Sequence, residues 1–197
     1  MPHGKLERVY SQLHVTRLSP ERCVGLVVVL TGHGKGKTSS ALGMLVRACG
    51  HGMKICMIQF MKGDLYTGEW DGVRNLRCQV ELIPAGMGFC GIRGNPFSHE
   101  EHRVAAQHAL DLAAKKLSSG KYDMVILDEI NNALNLGLLD LQQVIDLVQG
   151  KPLLTHLILT GRDAHPRIID LADTASEVRE LKHAYRQGIE PQPGVDF

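Results

Sequence analysis

The segment Thr31-Gly32-His33-Gly34-Lys35-Gly36-Lys37-Thr38 constrains this chain more than any other. It lies between a β-branched apolar run at residues 24–31 and an apolar-periodic stretch at 37–49. Glycines let backbone N–H groups converge on an anion, a lysine reaches terminal phosphates, and a hydroxyl reaches a divalent cation. Gly32, Gly34 and Gly36 give the close approach, and Lys37 and Thr38 give the other two functions. The strict spacing of a phosphate loop is missed by one place, because its first glycine would fall at Thr31. The strand–turn–helix setting is still the one such a loop requires. The plainer alternative is a glycine-rich turn with an incidental Gly-Lys-Thr.

Around this segment, apolar runs alternate with helical patterns. Strands are predicted at residues 24–31, 55–60, 80–83, 124–127, 157–160 and 176–181. Helices are predicted at 37–49, from Ser98 onward, at 140–148, and as a short turn opened by Pro166. Ser98 and Glu101 have capping-box spacing, and Val104, His108 and Leu112 form a stripe at i+4. Such alternation predicts an α/β fold: a mostly parallel sheet flanked by helices, in one P-loop NTPase-like (RecA-like) domain at residues 23–197. Residues 1–22 read as an N-terminal helical arm, with Leu6, Val9, Tyr10 and Leu13 at helical spacing. In such sheets ligands bind at the carboxyl ends of the strands. Four irregular segments are expected there: 31–38, 61–77, 84–98 and 128–135.

Composition narrows the ligand. Twenty-two Lys and Arg face 21 Asp and Glu, giving a net charge of +1 with no block of like charges. Broad attraction to nucleic acid or to an anionic membrane is not expected, so any anion must be held by a local site. No apolar run reaches the ~20 residues of a membrane helix, and the first residues lack the apolar core of a signal peptide. Five cysteines at irregular spacing, with no Cys-x-x-Cys, argue for reduced thiols in the cytoplasm and against a zinc site or a disulfide staple.

A second motif is Met124-Val125-Ile126-Leu127-Asp128-Glu129. An apolar strand ending in adjacent acids would bring carboxylates near the phosphate loop, where Mg²⁺ binds. Spacing does not separate Asp128 from Glu129 as the metal contact. Arg162, ending a predicted strand, and Arg47, on the helix after the loop, would each hold phosphate or base, or else make a surface salt bridge. His99-Glu100-Glu101-His102 fails the HExxH zinc spacing and reads as a solvated helix start. Cys90 reads as a plain thiol.

Further motifs occur in order: Arg-Ala-x-Gly-His-Gly at 47–52, Gln-Phe-x-Lys-Gly at 59–63 and Thr-Gly-Glu at 67–69. Leu-Asp-Glu follows at 127–129, Thr-Gly-Arg at 160–162, Lys-His-Ala at 182–184 and Gly-Ile-x-x-Gln-x-Gly-x-Asp-Phe at 188–197. Together they strongly resemble the P-loop corrinoid adenosyltransferases, over about residues 24–197. The resemblance implies transfer of the 5′-deoxyadenosyl group of ATP to Co(I) of a reduced corrinoid such as cobalamin, with triphosphate leaving. It implies ATP reversed in the loop, so that Gly32, His33, Gly34, Lys35, Gly36, Lys37 and Thr38 cradle the leaving group. It places Mg²⁺ (or Mn²⁺) on Thr38 and Glu129 with Asp128 beside them, Lys37, Thr38 and Glu129 in catalysis, Arg47 and Arg162 near the nucleotide, and Phe89 facing the corrinoid. It also implies a homodimer with the arm over a neighbouring site, and a flavoprotein reductase. Relatives often read Gly-Phe-Thr-Trp where this chain has Gly88-Phe89-Cys90-Gly91, so the tryptophan that helps displace the corrinoid's lower ligand is missing. An ordinary P-loop ATPase or phosphotransferase, and a nucleotide- or corrinoid-binding carrier without turnover, are the alternatives.

Overall fold

Apolar runs with no helical period become strands that must be covered on both faces. The computed structural model describes residues 20–63, 66–88, 90 and 95–197. It contains strands β1 (Val27–Thr31), β2 (Ile55–Gln59), β3 (Val80–Pro84), β4 (Met124–Asp128), β5 (His156–Thr160) and β6 (Thr174–Glu177). All pair in parallel in the order β3-β2-β4-β5-β1-β6. The four central strands are buried nearly throughout, β3 is half-buried and β6 is exposed, as suits the two edges.

Because side chains alternate along a strand, each central strand feeds two cores. Val28, Leu30, Met57, Ile126 and Ile158 pack under helix α1 (Lys37–Gly50), against Ala41, Leu45 and Ala48. Val27, Val29, Cys56, Ile58, Val125, Leu127, Leu157 and Leu159 pack on the other face. That face is covered by α3 (His99–Ser118) and α5 (Leu141–Gln149). The short helices are α2 (Glu69–Gly72), α4 (Ile130–Asn135) and α6 (Pro166–Ile169). This is the expected α/β, P-loop NTPase-like architecture.

Several local expectations hold. Ser98 and Glu101 form a full capping box, Asp140 caps α5 by accepting from Gln142 N and Gln143 N, and Pro166 opens α6. Others are corrected. The α3 stripe against the sheet is Ala106, Ala109, Leu110, Ala113 and Leu117, whereas Val104 and His108 are exposed. Alanines let the helix lie close to the strands, a benefit that a pattern of large apolar residues does not reveal. His102 is buried with its ring edge-on to Phe97, against the expectation of a solvated helix start, whereas His99 is exposed as expected, its Nε2 2.9 Å from Leu136 O. β1 begins three places late because the backbone at Gly25 packs on residue 155, where a Cβ would lie 2.1 Å from Thr155 O. The last strand ends early, at Glu177. Segments 61–77 and 128–135 contain α2, a 3₁₀ turn (Val73–Asn75) and α4.

The thiol expectation is also corrected. Cys49, at the end of α1, is disulfide-bonded to Cys78, just ahead of β3, with Cα atoms 5.3 Å apart. The 29-residue separation hides this pair from any spacing argument. Cys23, Cys56 and Cys90 are free. No helix among the described residues is long and apolar enough to cross a membrane. The arm at residues 1–19 lies outside the described residues.

Candidate active site

The parallel sheet puts Thr31, Gln59, Asp128, Thr160 and Glu177 in one row, each at the carboxyl end of its strand. The loop after β1 closes over this row. Gly32 and Gly36 have φ of 95° and 127°, which side chains rarely adopt. Gly34 is needed for a different reason: a Cβ there would meet Arg179 O at 2.7 Å. The loop is pinned to the chain after β6 by Gly34 N donating to Val178 O at 2.7 Å. The loop after β1 thus has a backbone that glycine suits at three places, although its first glycine is displaced from the strict phosphate-loop spacing.

Lys37 starts α1 and is buried, with Nζ donating to Gly34 O at 2.9 Å across the loop. Burial pulls its pKa below the ordinary lysine value, and the nearby Glu129 opposes that pull. Thr38 donates its hydroxyl to Asp128 Oδ1 at 2.9 Å, and Thr160 donates to the same oxygen at 2.7 Å. Gln59 Nε2 approaches Asp128 Oδ2 at 3.4 Å. Asp128 is fully buried, and burial pushes its carboxyl up while these donors pull it down.

Glu129 differs. Its backbone is left-handed (φ 64°), and its N–H donates to Thr160 Oγ1 at 2.9 Å. That twist turns the residue after β4 into the cavity, where Oε2 is buried without a hydrogen-bond partner among the described residues. Burial first, and then the Asp128 charge, push its carboxyl up to about 7. Asp128 is thus occupied by three donors, while Glu129 keeps an open acceptor. Thr38, having given its proton to Asp128, presents lone pairs that accept a cation.

The cavity measures about 690 Å³. Residues 33–39 form one wall, and Lys62, Glu69, Glu129, Asn132 and Arg162 line the rest. His183 and residues 194–197 roof it. A neighbouring cavity of about 480 Å³ shares His33, Arg162, His183 and Asp196. Arg162 is held by its backbone, N–H to Asn132 Oδ1 at 2.6 Å and O from Asn135 Nδ2 at 2.7 Å. Its guanidinium makes no hydrogen bond or ion pair with another described residue. His33 Nε2 lies 2.9 Å from Asp163 Oδ1, and Lys35 Nζ lies 2.7 Å from Asp196 Oδ1. Lys35, Lys37, Lys62 and Arg162 around one cavity, beside a glycine-rich loop, suit a polyphosphate.

The structure therefore brings together Gly32 to Thr38, Asp128, Glu129 and Arg162. Arg47 is not among them: it is exposed in the last turn of α1, roughly 15 Å along the helix from Lys37 at the usual rise per residue, and does not line the cavity. Phe89 lies outside the described residues. Gln59, Lys62, Glu69, Thr160, His183 and Asp196 gain places that the residue chemistry alone had not assigned. Each belongs to a motif at 59–63, 67–69, 160–162, 182–184 or 188–197, so the signal was present without a role attached to it.

Residues 24–197 match a family model described as ATP:corrinoid adenosyltransferase BtuR/CobO/CobP. A corrinoid adenosyltransferase of Pseudomonas aeruginosa is 40% identical over 173 residues, covering 88% of this chain and 84% of that protein. One from Escherichia coli K12 is 37% identical over 177 residues, covering 88% and 86%. Corrinoid adenosyltransferase CobA of Salmonella typhimurium is 38% identical over 178 residues, with the same coverage.

Proposed function

The chain belongs to the ATP:corrinoid adenosyltransferase family and is a corrinoid adenosyltransferase, and we propose a residue-level account of its reaction. ATP supplies the 5′-deoxyadenosyl group, and Co(I) of a reduced corrinoid accepts it, in adenosylcobalamin biosynthesis or salvage. The cobalt's electron pair forms the Co–C5′ bond, the C5′–O5′ bond breaks, and triphosphate leaves with that bond's electrons. The observation that carries this reading is the convergence of Lys37, Thr38 and the unpartnered Glu129 Oε2 on one cavity.

The protein's task in such a displacement is to neutralise charge that grows on the leaving group. The loop residues 34–38 line the cavity with the side chains of Lys35 and Lys37, and donors fixed in place beforehand act without reorganising. Arg162, whose guanidinium has no partner among the described residues, orients a nucleotide phosphate or ribose from the opposite wall. The donor set also fits a hard divalent cation. Thr38 and Glu129 would hold Mg²⁺ or Mn²⁺, with Asp128 behind Thr38 as the acceptor that orients its hydroxyl. When bound, the ion supplies further charge neutralisation to triphosphate oxygens.

The remaining parts of the proposal are a homodimer in which the 1–22 arm covers a neighbouring site, Phe89 against the corrinoid, and a flavoprotein reductase that delivers Co(I). A cytoplasmic location requires that Cys49–Cys78 form against a reducing thiol pool. Cell fractionation with thiol alkylation tests both. Light scattering at micromolar concentration tests the dimer, which a monomer would refute.

The decisive experiment is an anaerobic assay with prereduced cob(I)alamin, ATP and Mg²⁺, following the cobalt spectrum and phosphate products together. Adenosylcobalamin with intact triphosphate is the expected result. ADP and orthophosphate with unchanged cobalt would overturn it.

A further inference from the structure

Gln59, the last residue of β2, is completely buried, yet its side-chain amide has partners in three directions. Nε2 donates to Glu69 Oε1 at 3.1 Å and approaches Asp128 Oδ2 at 3.4 Å. Oε1 accepts from the indole Nε1 of Trp70 at 2.9 Å. Only a neutral amide donates twice to two carboxylates while accepting from an indole. A flipped amide would set its oxygen against both carboxylates and its NH₂ against the indole N–H, so one orientation is enforced. Among the described residues, Gln59 is the sole donor to Asp128 Oδ2, whereas Oδ1 is served by Thr38 and Thr160. The amide thus joins Thr38 and Asp128, at the root of the phosphate loop, to the segment 67–70, whose Gly68 and Glu69 line the cavity.

We infer that Gln59 is a positioning residue for the transfer reaction: it locks Asp128, and through it Thr38, to the Glu69–Trp70 segment. Occupancy of the phosphate loop is therefore felt at Trp70. The turnover part of this inference rests on the adenosyltransferase reading; the coupling part does not. A purely structural amide would stabilise the fold without making Trp70 answer to nucleotide.

Trp70 is the chain's single tryptophan, so its emission is an unambiguous reporter. The test compares the full-length protein with Gln59→Met, which keeps volume and removes every hydrogen bond. ATP with Mg²⁺ and inorganic triphosphate are the probes, and calorimetry measures their affinity separately. In the unaltered protein both probes shift the emission. In Gln59→Met the resting emission moves to the red and the probe-induced change loses most of its amplitude at saturation. Its kcat falls about tenfold or more while its KM for ATP stays within about threefold, the pattern of lost positioning and not of lost binding. An emission that ignores ATP in the unaltered protein, a normal response in Gln59→Met, or a loss confined to KM overturns the inference. If Gln59→Met fails to fold, Trp70→Phe removes the indole N–H together with the pyrrole ring; kcat falls about three- to tenfold at constant KM, and an unchanged kcat overturns the inference. Failure of the adenosyltransferase reading looks different: no adenosylated corrinoid forms from the unaltered protein, while the emission coupling remains.

Discussion

The floor and the roof of the cavity are built on opposite terms. The floor rests on Lys37, which lines the cavity, and on Gln59, Asp128 and Thr160 beneath the lining, all buried, at strand ends and the start of α1, and each hydrogen-bonded to another residue. The roof, His183 and residues 194–197, is largely exposed. It is tied to the phosphate loop by Lys35–Asp196 at 2.7 Å and to itself by turn bonds such as Gly194 N to Phe197 O. Exposed ion pairs contribute roughly 0–1 kcal/mol, whereas a buried polar group left unpaired costs about 1–3 kcal/mol. The buried groups, Lys37 among them, therefore sit where geometry is over-determined, and the cover, with the exposed Lys35 paired to it, sits where contacts are cheap to rearrange. That division suits an enzyme that must hold a polyphosphate rigidly yet admit a second, much larger substrate.

The sharpest break in that contrast is Lys37→Ala. In the proposed reaction the Lys37 ammonium stabilises the leaving group, so its removal lowers the rate of adenosyl transfer by about 10²–10³-fold or more. Single-turnover formation of the adenosylated corrinoid measures it. A variant with full activity would remove the phosphate loop from the site.

Next comes a floor residue that touches no substrate. Thr160 bridges Asp128 Oδ1 and Glu129 N, so Thr160→Val leaves a buried acceptor and a backbone donor short of a partner. The expected cost is about 1–3 kcal/mol of stability, read as a lower urea midpoint at constant slope. No change would mean that the floor is less tightly built than its hydrogen bonds imply.

These two residues also mark what the sequence discloses. Lys37 was legible because strand, glycines, lysine and hydroxyl are contiguous, and local chemistry fixes their relation. The parallel α/β sheet was legible for the same reason, since apolar period and caps are local. Thr160 lay in the Thr-Gly-Arg motif, but nothing local gave it a role: that role depends on β5 lying between β1 and β4, which strand order alone decides. Gln59 and Glu69 become one unit only when residues ten apart fold onto each other. The Cys49–Cys78 bridge needs α1 and the approach to β3 to meet. The α3 stripe was misread because alanines carry little hydrophobic signal yet allow the closest packing. Arg47 failed on geometry: a motif places it next to the loop in sequence, but the helix carries it away.

The roof gives a smaller effect. Asp196→Asn releases Lys35 and removes a negative charge from the cavity rim. Stability changes by less than about 1 kcal/mol. KM for ATP falls, by up to about threefold, because Lys35 no longer has to leave a partner and one source of repulsion to phosphate is gone. A large loss of stability would show that the tail is a structural element and erase the contrast.

The smallest effect is a control on the sheet's edge strand, away from both cavities. Glu81 on β3 accepts from Lys116 Nζ at 2.7 Å and from the Tyr122 hydroxyl. Those bonds hold its carboxyl below the ordinary glutamate value of 4.5. A carboxylate with a depressed folded pKa stabilises above its unfolded pKa, and that contribution disappears as pH falls through the folded value. The side chain is 42% exposed, so solvent screening keeps the contribution below about 1 kcal/mol. Glu81→Gln should therefore be slightly less stable at pH 7, converge with the unaltered protein in melts taken below the depressed folded value, and bind ATP identically. If it changed ATP affinity as Asp196→Asn does, the roof's effect would be general electrostatics and not a property of the cover. If it changed neither stability nor affinity, exposed pairs in this protein would carry no stabilisation, and the Lys35–Asp196 pair would act only by occupying Lys35.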